Sequence, residues 1–164
     1  GIRMTMRAKE LSTIDRNILR VLQKNGRISY AELSRQVGLS ATPCMERVKK
    51  LEREGVIQGY SALINPEYLD AALVVFVQVS LERTSKSIFE DFRKAAEKLK
   101  EVQECYLLSG SFDYLIKARV ADMAAYRLFY GETLLNLPGL KDCTSFVVME
   151  QIKETLEIPV TDKK

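Results

Sequence analysis

The sequence predicts an α+β chain in two parts: a helix-turn-helix with a strand behind it, then a βαββαβ unit. Three observations predict this. Residues 29–60 read as two capped helices joined at Gly38, with a short β-branched run after Gly55. From residue 71 the apolar period switches between two and about 3.6, in the order strand, helix, strand, strand, helix, strand. Charge divides at the same place: residues 1–59 carry 12 Lys/Arg against 6 Asp/Glu, and residues 60–164 carry 13 against 16. A basic part fused to a mildly acidic one suits nucleic-acid binding at one end only.

The first helix is expected over Leu11–Gly26. Leu11, Ile14, Ile18, Val21 and Leu22 recur at helical spacing, Ser12 or Thr13 caps it, and Asp15 sits near the positive end of its dipole. Asn25-Gly26 ends it. Ser29-x-x-Glu32 reads as a capping box for a second helix with Leu33 and Val37 on its apolar face. Gly38 supplies the left-handed residue that ends this helix, and Leu39 turns back toward the core.

Ser40 is the expected N-cap of a third helix, with Pro43 tolerated in its first turn. At 100° per residue Ala41, Cys44, Val48 and Leu51 fall on one side. Thr42, Glu46, Lys49, Lys50 and Arg53 fall on the other, flanked by Pro43 and Arg47. A helix entering the DNA major groove needs this layout: short polar groups at its leading end for base edges, basic groups behind for bases and phosphates. The candidate contacts are Ser40, Thr42, Pro43, Glu46, Arg47 and Lys50. An ordinary amphipathic hairpin with a solvated charged face fits the pattern about equally well. Gly55 stops the helix, and Val56–Tyr60 reads as the strand of a wing.

The expected domains are 4–60, 61–70 as an extended linker and 71–164. Gly1-Ile2-Arg3 ahead of Met4 is read as an appended remnant and left out of the fold. Asn65-Pro66 marks a turn, and Ser61–Ile64 reads as extended and able to pair with another chain. Ala71–Leu81 is a strand with Val75, Val77, Val79 and Leu81 on one face. Ser87-x-x-Glu90 caps a helix whose Ile88, Phe92, Ala95, Ala96 and Leu99 share a side. Val102–Ser109 and Tyr114–Val120 form a hairpin around Gly110–Asp113. Asp122 caps a helix with Tyr126, Phe129, Tyr130, Leu134 and Leu137 facing inward, Leu137-Pro138-Gly139 ends it, and Cys143–Ile152 is the last strand. This order is that of the ferredoxin-like split βαβ unit. Helices cover one face of such a sheet, and a second copy of the chain is the cheapest cover for the other.

No histidine is present, and the three cysteines, Cys44, Cys105 and Cys143, are odd in number and widely spaced, which argues against a zinc site or a disulfide framework. No phosphate-cradling Gly-rich loop and no paired nucleophile and base appear, so no catalytic residue, metal or cofactor is expected. No apolar run reaches bilayer-spanning length and no signal peptide is read, so the expected setting is a reducing cytoplasm with no membrane partner. Gly110–Tyr114 reads either as an exposed loop in which Asp113 meets a ligand's ammonium, or as a plain hairpin turn in which Asp113 bonds its own backbone.

Ile14-Asp15-Arg16-Asn17-Ile18-Leu19, Gly26-Arg27-Ile28-Ser29, Val37-Gly38-Leu39-Ser40, Thr42-Pro43-Cys44, Gly59-Tyr60, Gln103-Glu104-Cys105, Phe112-Asp113-Tyr114-Leu115 and Val147-Val148-Met149-Glu150 run over nearly the whole chain. In that order they resemble the Lrp/AsnC family, the feast/famine transcription regulators. The resemblance implies a bacterial, nucleoid-associated regulator of amino-acid metabolism that binds double-stranded operator DNA through a winged helix-turn-helix. It implies a ferredoxin-like domain that dimerises, assembles to an octamer and binds an amino-acid effector between dimers. The matching effector positions are Leu107, Ser109, Gly110, Ser111, Asp113, Tyr114, Met123, Phe146, Val147 and Val148. Ser111 departs from the acidic residue usual there, and Phe146 from a frequent tyrosine. The apolar lining suits leucine or methionine. The rival reading is an architectural protein that wraps DNA and needs no effector.

Overall fold

A computed structural model describes residues 10–162; the appended remnant read at Gly1–Arg3 lies outside them. The described chain forms two compact units, one of residues up to Leu63 joined by the segment from Lys153 onward, the other Ile64–Ile152.

In the first unit, helices α1 (Thr13–Lys24), α2 (Tyr30–Val37) and α3 (Ala41–Arg53) enclose a core of Ile18, Leu33, Val37, Cys44, Val48 and Leu51. Ile18, Leu33 and Leu51 are fully buried, each contributing about 1.5–3 kcal/mol on removal from water. Gly38 takes φ 74° at the end of α2, the left-handed turn expected there. Ser12 rather than Thr13 caps α1, in a complete capping box with Asp15. The box expected at Ser29 is only half formed: Ser29 accepts from the Glu32 amide, while the Glu32 carboxylate is taken by Arg35 and Gln36 in the next turn.

Two expectations fail here. Ala41 is exposed, so the buried side of α3 starts only at Cys44. Val56–Tyr60 forms no strand. Val56 and Ile57 pack against the core and donate to the Leu51 carbonyl, which closes the end of α3 and leaves the segment without a ladder partner.

The domain end expected at residue 164 is also displaced. Residues 153–162 lie along α1. Gln23 Nε2 donates to the Ile158 carbonyl (2.8 Å) and Gln23 Oε1 accepts from the Ile158 amide (2.6 Å). Arg20 donates to the Val160 carbonyl (2.9 Å) and Arg16 to that of Thr161 (2.6 Å). Three polar side chains of one helix thus satisfy an extended backbone that has no sheet to join.

The second unit has β1 (Leu73–Leu81), α4 (Ile88–Glu97), β2 (Val102–Leu107), β3 (Tyr114–Val120), α5 (Met123–Glu132) and β4 (Leu140–Val147). The sheet order is β2-β3-β1-β4, antiparallel throughout, as the ferredoxin-like arrangement requires. Val75, Val77, Val79 and Leu81 of β1 and Tyr114, Ile116, Ala118 and Val120 of β3 bury one face against Phe92, Ala96, Tyr126, Phe129 and Leu134. Ser87 does not cap α4 through its hydroxyl; its backbone is already helical, so the side chain reaches Asp91 instead. The last strand begins and ends earlier than the expected Cys143–Ile152. Its Val147 pairs with Val75, near the start of β1, so residues beyond find almost no partner. The opposite face carries Phe76, Lys117, Phe146 and Glu104 in one cross-strand row, with Lys117 3.4 Å from Glu104.

Candidate DNA-binding helix and effector region

Helix α3 turns Cys44, Val48 and Leu51 into the core, which leaves Thr42, Pro43, Glu46, Lys49, Lys50 and Arg53 exposed on its other side. Ser40 begins the helix through backbone geometry alone, and its hydroxyl makes no capping bond. Pro43, Glu46, Arg47, Lys50 and Arg53 line a concavity with Ile14 and Leu39. The expected DNA-facing residues are therefore gathered on one surface, with no carboxylate in the first turn of the helix. That turn presents unpaired backbone N–H groups and the positive end of the dipole, both suited to phosphate.

Arg47 is the exception to this exposed set. Its Nε lies 3.2 Å from Asp15 Oδ1, its side chain 36% exposed and that of Asp15 only 10%. It also donates to Ser12 Oγ, which already accepts the Asp15 amide at 3.0 Å. Asp15 Oδ2 in turn accepts the Ser12 amide at 3.0 Å. The cap of α1 and the middle of α3 form one charged, hydrogen-bonded knot. Arg47 ties α3 to α1 before it meets anything outside.

The expected effector residues are not brought together within one chain. The register sets Tyr114 opposite Val79 and Val147 opposite Val75. The two pairs lie four positions apart along β1, about 13 Å of strand. The β2–β3 turn, with Leu107, Ser109, Gly110, Ser111 and Asp113, stands at one end of the sheet. Val147 and Val148 stand toward the other, where Val148 donates to Val74 (3.0 Å). Met123 opens α5 just past the end of β3, and Val120 there pairs with Leu73. The turn and the Val147–Val148 strand end are therefore not neighbours within one chain. Phe146 and Val147 also point to opposite faces, as successive strand residues must. Phe146 is 49% exposed opposite Phe76 on the uncovered face.

Tyr114 is core. Its ring stands 4.4 Å from that of Phe92 and 6.0 Å from that of Phe89, and burial pushes its phenol upward. The Asp113 carbonyl accepts the Leu108 amide across the turn (2.9 Å), but its carboxylate bonds outside the turn. Its Oδ2 accepts the Leu81 amide at 2.8 Å, its amide donates to the Val79 carbonyl at 2.9 Å, and Oδ1 lies 2.8 Å from Arg83 Nη2. It stitches the hairpin to the end of β1. Arg83 was absent from the sequence reading; a loop arginine thirty residues from its partner carries no periodic or spacing signal. Among the described residues no group of three or more metal-type ligands converges, and no helix is long and apolar enough to cross a membrane.

Two family models match. The winged helix-turn-helix DNA-binding family covers residues 11–58 and the Lrp/AsnC ligand-binding domain residues 74–158. The chain is 60% identical over 147 residues, 90% of each chain, to the leucine-responsive regulatory proteins of Klebsiella pneumoniae and Escherichia coli K12. A transcriptional regulator of Neisseria meningitidis solved with L-methionine superposes with a TM-score of 0.87 at 42% identity, over 91% of this chain and 96% of that one. An AsnC-family regulator of Agrobacterium tumefaciens does so with a TM-score of 0.86 at 38% identity, over 91% and 97%.

Proposed function

This chain belongs to the Lrp/AsnC family of transcription regulators, and from that premise we propose that it reads operator DNA with α3 and answers to an amino-acid effector, leucine or methionine. Thr42, Pro43, Glu46 and Lys50 approach base edges, and Lys49 and Arg53 take phosphates. Arg47 acts by fixing the angle at which α3 leaves the domain. Such a regulator works on the bacterial nucleoid, in the cytoplasm.

The effector half rests on one observation. The turn members of the expected site (Leu107, Ser109, Gly110, Ser111, Asp113) and the members Met123, Val147 and Val148 lie toward opposite ends of one sheet. A site using both needs two copies of the chain, one supplying the turn with its polar groups and another the Met123, Val147 and Val148 lining. The apolar uncovered face around Phe76 and Phe146 supports a two-fold dimer as the unit, with dimers assembling further to an octamer. A ligand bridging copies favours whichever assembly forms the cleft, and DNA binding shifts with it by linkage. The methionine complex of the Neisseria relative and the names of the leucine-responsive relatives favour these two effectors.

A thermal-shift screen against the common amino acids tests this, since a ligand that binds only the folded assembly raises its melting temperature. Leucine or methionine is expected to give the largest rise. No rise with any amino acid, together with operator footprints unchanged by them at raised salt, returns the protein to the architectural, DNA-wrapping reading.

A further inference from the structure

The polar end of the hairpin holds two opposite charges side by side. Asp113 has one oxygen on the Leu81 amide and the other 2.8 Å from Arg83 Nη2; its side chain is 13% exposed and that of Arg83 70%. The Arg83 guanidinium carbon stands 5.4 Å from the centre of the Phe89 ring. A guanidinium carries five N–H donors, and most of this one faces solvent. It is held at two points, by a carboxylate and by a ring face, with a donor edge to spare. Arg83 is largely solvated, so water replaces the carboxylate on it when the pair opens, while Asp113 keeps the Leu81 amide.

We infer that Arg83 binds the α-carboxylate of the effector while Asp113 takes its α-ammonium, the zwitterion inserting into the ion pair. This rests on the amino-acid reading proposed above and names the group that reads the acid end. One ion pair is exchanged for two. The planar fork of the guanidinium matches a carboxylate bidentately, and the Phe89 ring below its carbon helps to hold it in place. Asp113 keeps its second oxygen on the Leu81 amide throughout, so the head group is gripped at the point where the hairpin is stitched to β1. Selection is then for a free α-amino acid. An amide of the same side chain keeps the ammonium contact and loses the charged fork.

The test is calorimetry on the full-length protein with L-methionine and L-methioninamide, at a slightly acidic pH where both amines are protonated. Wild type is expected to prefer the free acid by at least about tenfold, the scale of one charged hydrogen bond. Arg83→Ala and Arg83→Gln should bind the free acid only as well as the amide, so the ratio falls toward one. Arg83→Lys should recover part of it, restoring the charge without the fork. Melting temperatures near wild type for the Arg83 variants separate lost recognition from lost folding. A wild-type ratio retained in both Arg83→Ala and Arg83→Gln overturns the assignment and leaves the effector reading standing. Wild type that binds neither L-methionine nor L-leucine overturns both.

Discussion

Arg47, in the middle of the DNA-facing helix, points its guanidinium at Asp15 of the first helix, 3.2 Å away. A residue whose type and position suit a DNA contact is thereby a brace between the two helices whose angle sets the reading head. Breaking one partner of a mostly buried charge pair leaves the other unsatisfied. Arg47→Ala is expected to lower both the melting temperature and operator affinity. Lys50→Ala should leave the melting temperature unchanged and weaken operator binding, while Lys49→Ala should reduce the slope of log affinity against log salt by about one. Unchanged thermal stability in Arg47→Ala would return Arg47 to the DNA-contact set.

Gly139 precedes β4 with φ +72°, and a Cβ built there would lie 2.1 and 2.4 Å from atoms of Ile88. Both the backbone and the packing forbid a side chain. Gly139→Ala should cost about 2–4 kcal/mol, combining left-handed strain with overpacking. Gly131 in α5 meets nothing within 4 Å and keeps an ordinary φ, so Gly131→Ala should add about 0.5–1 kcal/mol. Urea denaturation of the two variants checks both signs.

Much of this architecture was legible in the sequence because local rules carried it. Ser12, Gly38, Asn65 and Asp122 do what their chemistry predicts at helix and turn boundaries, and the alternation of Val75, Val77 and Val79 marked the buried face. What failed needed long-range information. Whether Val56–Tyr60 pairs depends on a partner strand, which no local pattern supplies. Where β4 stops depends on where β1 begins. Asp15–Arg47 and Arg83–Asp113 join residues 32 and 30 positions apart by number, so neither pair appears as a motif. The effector positions need the same long-range information: no local pattern shows that the strand register sets the β2–β3 turn and Val147–Val148 toward opposite ends of β1.

Tyr60 gives a pH signature to the first unit. Its ring lies against Gly26, where an added Cβ would come within 3.2 Å of it, and its hydroxyl donates to Glu52 at 3.0 Å. Burial first, and then the Glu52 carboxylate, push its phenol up to about 12 from an ordinary value of 10.0. A group whose folded value is raised contributes stability below its unfolded value and loses it as pH rises through the folded one. Stability should therefore fall between about pH 10 and 12 in wild type. In Tyr60→Phe that portion of the fall should vanish, as read by chemical denaturation across this range.

Gln23 pairs with the Ile158 backbone in both directions. Net contributions of such bonds are about 0.5–1.5 kcal/mol each, so Gln23→Ala should loosen the C-terminal segment without unfolding the helices. Hydrogen exchange should quicken at the Ile158 amide and stay slow at Ile18 and Leu33. Uniform acceleration across the unit would instead make the segment part of the global fold.

The uncovered face of the sheet makes the strongest demand for a partner. Phe76 and Phe146 stand opposite one another there, beside Lys117 and its ion pair with Glu104. Phe146 is half exposed and Phe76 half-buried, so both have apolar area still to bury, and a two-fold partner covers it twice over because the same patch is used by both copies. Glu104 and Lys117 already neutralise each other within one sheet, so the face can be buried without stranding a charge. Phe146→Glu puts a like charge from each copy into the contact and removes its apolar centre. Light scattering should then report a monomer at micromolar concentration, against a dimer or larger assembly for wild type. DNA affinity should drop with it, since paired half-sites require paired reading heads. A Phe146→Glu protein that keeps the wild-type mass would move the dimer contact off this face.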